Sequence, residues 1–148
     1  MGMRQISVFL ENTTGRLPEV TKTLAKAGIN LRAINIADTA DFGILRMIVD
    51  KTDEAANVLN AAGFTIKMTS VAAVEIDDKP GSLDKLIVMI QKFGINIEYL
   101  YASLGGSASS ESGASGGSGK AVVIFKLEDH EKGFALLEKS GLVLVEKL

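Results

Sequence analysis

Apolar positions along the chain recur at two different spacings, and the points where the spacing changes mark successive elements. Gln5 to Leu10 is an apolar run bounded by polar residues and predicts a strand. Leu17, Val20, Leu24 and Ala27 then recur at helical spacing up to Gly28, the residue type favoured just past a helix. Two runs rich in β-branched residues, 31–37 and 42–49, are joined by Asp38-Thr39-Ala40-Asp41, a hairpin signal. Ala55, Val58, Leu59 and Ala62 mark a second helix stopped by Gly63, and 64–69 predicts a closing strand.

The same order then returns. It predicts a strand over 71–76, a helix over 82–93 with Leu83, Leu86, Ile87 and Ile90 inward, and strands over 96–103 and 121–127. A helix over 130–139 and a strand over 142–147 complete the copy. At an offset of 66, Gly15 falls on Gly81, Leu17 on Leu83, and Gly28-Ile29-Asn30 on Gly94-Ile95-Asn96. Gly63 of AAGFTI meets Gly141 of KSGLVL at an offset of 78, so the second copy carries 12 extra residues. They fall in 105–119, GGSASSESGASGGSG, whose composition is that of a flexible insert. The order βαββαβ, closed by right-handed crossovers, gives a four-stranded antiparallel sheet with both helices on one face. The expected fold is therefore α+β: two ferredoxin-like domains, 3–70 and 71–148. Copies of about 70 residues are small for independent cores, so the two are expected to pack together. The doubled start Met1-Gly2-Met3 reads as an addition ahead of the natural initiator and is set aside from the fold.

Composition removes several function classes. There is no cysteine, which excludes disulfide scaffolds, thiolate zinc sites and cysteine nucleophiles, and one histidine leaves little for a Ser–His relay. Sixteen basic against eighteen acidic residues give no electrostatic footprint for nucleic acid. No stretch approaches the roughly 18 apolar residues that cross a bilayer, and the N-terminus lacks the zones of a signal peptide. A cytoplasmic protein with neither metal nor cofactor is the expectation.

Between the first strand and first helix of each copy lies a short Gly-containing turn, Glu11-Asn12-Thr13-Thr14-Gly15-Arg16-Leu17 and Asp77-Asp78-Lys79-Pro80-Gly81-Ser82-Leu83. Asn12 and Asp78 are favoured N-cap types, and Gly lets a ligand approach the backbone closely. Helix N–H groups there suit a carboxylate or phosphate, although a simply capped helix would account for the spacing as well.

The pairing of N-x-x-G-x-L with G-I-N, repeated inside βαββαβ, resembles the ACT domain. Asn12, Gly15, Leu17, Gly28, Ile29 and Asn30 fit that pattern, as do Asp78, Gly81, Leu83, Gly94, Ile95 and Asn96, with Asp in place of Asn. The resemblance covers nearly the whole chain apart from the insert. It implies a small regulatory module that pairs with its like and binds free amino acids between domains, with turn and Asn supplied by opposite domains. One implied site combines Asn12, Thr14, Gly15, Arg16 and Leu17 with Asn96. The other combines Asp78, Gly81, Ser82 and Leu83 with Asn30. Ionised Asp78 would repel a carboxylate whereas Arg16 would attract one, so the first turn is the expected holder. With no catalytic or DNA-binding domain in the chain, the resemblance implies a non-enzymatic sensor. Its expected partners are a second copy of itself, as a homodimer, and a regulated enzyme; a ligand-free dimerisation or adaptor subunit is the alternative.

Other features carry less. Gly119-Lys120-Ala121 ends a P-loop-like run, but Ala replaces the magnesium-binding Ser or Thr and the segment leads into a strand. Tyr99 and Tyr101 share a sheet face and could stack bases, yet no basic signature accompanies them. His130 reads as part of a solvated first helical turn. Asp77-Asp78 and Asp38 with Asp41 are ordinary turn residues.

Overall fold

In the computed structural model, residues 2–11, 13–38, 42–104 and 119–148 are described. Asn12, the tip of the Asp38–Asp41 hairpin and nearly all of the 105–119 insert lie outside them. The chain divides into two compact units, Arg4–Thr69 and Ser70–Leu148, the first residues of the chain grouping with the latter. Each unit is a ferredoxin-like βαββαβ fold.

The first unit holds β1 (Met3–Glu11), α1 (Arg16–Lys26), β2 (Leu31–Asp38), β3 (Phe42–Val49), α2 (Thr52–Ala61) and the start of β4 (Thr65–Asp77). The second contains the rest of β4, then α3 (Ser82–Lys92), β5 (Ile97–Ala102), β6 (Lys120–Leu127), α4 (His130–Lys139) and β7 (Val143–Leu144). Strand orders are β2-β3-β1-β4 and β5-β6-β4-β7. Alternation in β1 sends Ile6, Val8 and Leu10 to the helix side, where Ile6 faces Met47 and Val8 faces Leu45 across the antiparallel ladder. Val20 and Leu24 of α1, Ala55 and Leu59 of α2, and Phe64 close that core. In the second unit Ala72, Val74, Phe125 and Leu127 meet Leu86 and Ile90 of α3 and Phe134 and Leu137 of α4.

The repeat persists in backbone detail. Gly15 has φ 95° and Gly81 φ 90°, both in the left-handed region open to glycine, and each is the residue that opens its helix. The ladder irregularity between Leu31 and Ala33 returns between Ile97 and Tyr99.

Four expectations are corrected. The strands expected over 64–69 and 71–76 are one 13-residue strand, β4. Thr69-Ser70-Val71 has no Gly, Pro, Asn or Asp, and Ser70 stands between the β-branched Thr69 and Val71, so the chain stays extended across the unit boundary. The strand expected over 142–147 shrinks to two residues, paired only with Val74 and Glu75, although the Val145 N–H still reaches the Ala73 carbonyl at 2.8 Å. Gly2 and Met3, set aside above, belong to the packed fold. Met3 is buried, and a Cβ on Gly2 would stand 2.7 Å from the Val71 carbonyl oxygen and 2.9 Å from the His130 ring. His130 is accordingly half-buried beside Phe134, with ring centres 5.6 Å apart, rather than solvated.

Candidate functional site

Each β–α turn is built by the same hydrogen bonds. In the first, the Thr13 N–H donates to the Glu11 carbonyl (2.8 Å) and the Arg16 N–H to the Thr13 carbonyl (3.4 Å). In the second, Lys79 donates to Asp77 (3.0 Å) and Ser82 to Lys79 (3.3 Å). The helices start at Arg16 and Ser82, three residues later than an Asn12 or Asp78 cap would place them. Gly15 and Gly81 are the caps, each in the left-handed conformation immediately before the first helical residue. Asp78 instead donates its N–H to the Gly119 carbonyl at 2.7 Å, tying the turn to the start of β6.

Around these turns the two units match in shape and differ in charge. Leu17 and Leu83 are each 36% exposed, so both turns present a leucine to solvent. Arg16 forms an ion pair with Glu19 at 2.6 Å, and its guanidinium carbon lies 5.0 Å from the centre of the Phe64 ring. Its charge is therefore already partnered within the first unit. In the second unit Ser82, Lys85 and Leu142 stand at those three repeat positions. Asp77, at the end of β4, is joined to Lys120 and lies 3.8 Å from the Lys79 ammonium. The hydrogen bond from Lys120 holds the Asp77 carboxyl below its ordinary pKa, and the same bond raises Lys120.

Asn30 and Asn96 occupy the other ends of their helices. The Asn30 carbonyl accepts from Asp50 N–H (3.1 Å) and the Asn96 carbonyl from Glu128 N–H (2.9 Å), which leaves both side chains exposed. An 11-residue helix spans about 16 Å, so neither unit brings its own Asn to its own turn. Sequence reasoning missed Glu19, Phe64, Lys85 and Lys120. Their only early signal was the comparison of repeat positions, where Glu19 falls on Lys85 and Phe42 on Lys120.

Tyr99 and Tyr101 stack on one another, ring centres 6.5 Å apart and 20° from parallel, and Tyr101 is buried. They do not form an open platform for bases. Among the described residues no three His, Asp or Glu side chains are grouped to hold a metal ion, and no helix is long and apolar enough to cross a membrane.

A family model described as an ACT domain pair matches residues 1–143. Among solved structures, protein BT0572 from Bacteroides thetaiotaomicron is 35% identical, with a TM-score of 0.85 over 98% of this chain and 92% of that one. The regulatory subunit of aspartate kinase from Thermus thermophilus, in ligand-free form, is 19% identical with a TM-score of 0.63, over 93% and 91% of the two chains. The corresponding subunit from Thermus flavus is 20% identical with a TM-score of 0.60, over 91% and 88%. These two likenesses speak for the fold. A search of curated proteins returns no match to the chain.

Proposed function

The chain belongs to the ACT domain pair family, and on that premise we propose that it is a regulatory protein that senses a free amino acid. One observation carries the reading: the same glycine-capped turn is built twice, with φ 95° and 90°, at the N-terminus of α1 and of α3. Backbone N–H groups and the positive end of the helix dipole suit the carboxylate of the ligand. An Asn amide supplies both a donor and an acceptor for the rest of a zwitterion.

Each turn needs an Asn from a different ACT unit, in this chain or in a second copy, because its own lies at the far end of the helix. One site is Asn12, Thr14, Gly15, Arg16 and Leu17 with Asn96; the other is Asp78, Gly81, Ser82 and Leu83 with Asn30. Arg16, spent on Glu19 and Phe64, serves as a wall of the first site more than as its charge. The protein acts by binding rather than by catalysis. Its partners are a second copy and an enzyme whose activity follows the level of the amino acid in the cytoplasm.

A thermal-shift screen against the twenty amino acids tests this. A ligand of the native state at a hundred times its dissociation constant adds roughly 2.7 kcal/mol, a readily measured rise in Tm. If none of the twenty moves the melt, the sensor reading fails and the adaptor reading stands.

A further inference from the structure

Helix α3 carries five consecutive apolar residues, Leu86-Ile87-Val88-Met89-Ile90, and five residues go more than once around an α-helix. Such a run leaves the middle of α3 with no polar side. Leu86 and Ile90 are buried in the second core, Ile87 and Met89 are half-buried at its margins, and Val88 is 40% exposed on the outer face. The matching residues of α1 are Val20-Thr21-Lys22-Thr23-Leu24. Val20 and Leu24 are buried as Leu86 and Ile90 are, and the three between them are polar. The fold therefore asks for only two apolar residues here, and α3 has three more than its own core uses. A helix apolar all round is a covered helix. The insert 105–119 contains no Val, Leu, Ile, Met or aromatic residue that could cover it.

The charges around Val88 identify the cover. Asp84 lies four residues before Val88 and Lys92 four after it, on the same outer stripe, and both are exposed. Neither forms an ion pair among the described residues. When two α3 helices meet antiparallel about a two-fold axis at Val88, each Asp84 faces the partner's Lys92. Ile87 then faces the partner's Met89, and valine meets valine. We infer that α3 is a self-complementary docking face for a second copy of this chain, centred on Val88. Helix α1 is not suited to this: its outer stripe is Pro18, Lys22 and Lys26, and the same pairing sets Lys22 against itself. The inference gives the second copy a specific face. It uses none of the turn or Asn residues of the proposed amino-acid sites, so it stands independently of any ligand there.

Sedimentation velocity of the full chain tests the inference. Wild type is expected to dimerise, and Val88→Lys, which installs the residue of α1, to raise the dimer Kd about tenfold or more while keeping a cooperative melt. Asp84→Lys and Lys92→Asp each weaken the dimer, and the two combined restore it, which mere damage to the helix would not do. Because the chain has no cysteine, mild oxidation of Val88→Cys reads the axis directly. A disulfide-linked dimer is expected from that variant and not from Lys22→Cys, its counterpart on α1. A monomeric wild type overturns the inference. So does a dimer as tight in Val88→Lys as in wild type, which would keep the second copy and move it to another face.

Discussion

The Arg16 guanidinium lies over the face of Phe64, and the two residues at the same repeat positions in the second unit, Ser82 and Leu142, have no such relation. A cation over an aromatic ring at a partly exposed site contributes about 0.5–1 kcal/mol, and Phe64 is itself buried in the first core. Phe64→Leu, which installs the second unit's residue, is expected to cost about 1–2 kcal/mol once the lost ring volume is included. Urea unfolding reads this as a lower midpoint at unchanged slope. An unshifted midpoint would show that the stacking contributes nothing.

Gly15 and Gly81 meet no atom within 4 Å of a Cβ built on them, so an alanine there is opposed by backbone strain alone. Gly15→Ala and Gly81→Ala are each expected to lower stability by about 1–2 kcal/mol, the penalty for a left-handed L-residue. Gly43→Ala, in β3 at ordinary φ and with its nearest neighbour 3.9 Å away, is the control. It should be neutral or slightly stabilising. Thermal melts of the three variants decide the point; a neutral Gly81→Ala would refute the strain argument.

Asp77 has its carboxyl pKa lowered, first by the Lys120 hydrogen bond and then by that residue's charge. A depressed folded-state pKa contributes stability that is present above the unfolded value and lost as pH falls through the folded one. The contribution should therefore disappear below about pH 4. Asp77→Asn is expected to destabilise the protein at pH 7 and to flatten the acid limb of its stability profile. Parallel melts from pH 7 to pH 2 test this, and identical wild-type and variant profiles would contradict it.

Deleting 107–118 should leave a cooperative melt, since β5 and β6 are held in register from Ile97↔Leu127 to Ala102↔Val123. Loop closure changes by only about 0.6 kcal/mol per doubling of length. Loss of the melt in the deletion variant would assign the segment a structural role.

Much of this architecture was legible because the repeat is written in residues with a backbone requirement. Gly15 and Gly81, Gly28 and Gly94, and Gly63 and Gly141 all have positive φ, so their pairing in sequence reported paired turns in space. Element ends were less legible. Asn12 and Asp78 have the chemistry of helix caps, but a left-handed glycine three residues later takes over that place. The continuity of β4 was hidden because Thr69-Ser70 at the change of unit reads as a weak turn signal, yet the strand runs straight through it. The charge pattern of the candidate site was hidden more deeply. Arg16 meets Phe64 across most of a repeat, and Lys120 meets Asp77 from beyond the insert. Only tertiary structure brings such groups together.

The account turns on a carboxylate held at the first β–α turn. Titration of the amino acid found in the screen into wild type and into Asn12→Asp tests it most directly. The fold should survive the substitution, because Gly15 and not residue 12 opens α1. The account predicts saturable wild-type binding that the added like charge weakens by about 1–3 kcal/mol, roughly ten- to a hundredfold. Equal affinity in the two proteins would contradict it.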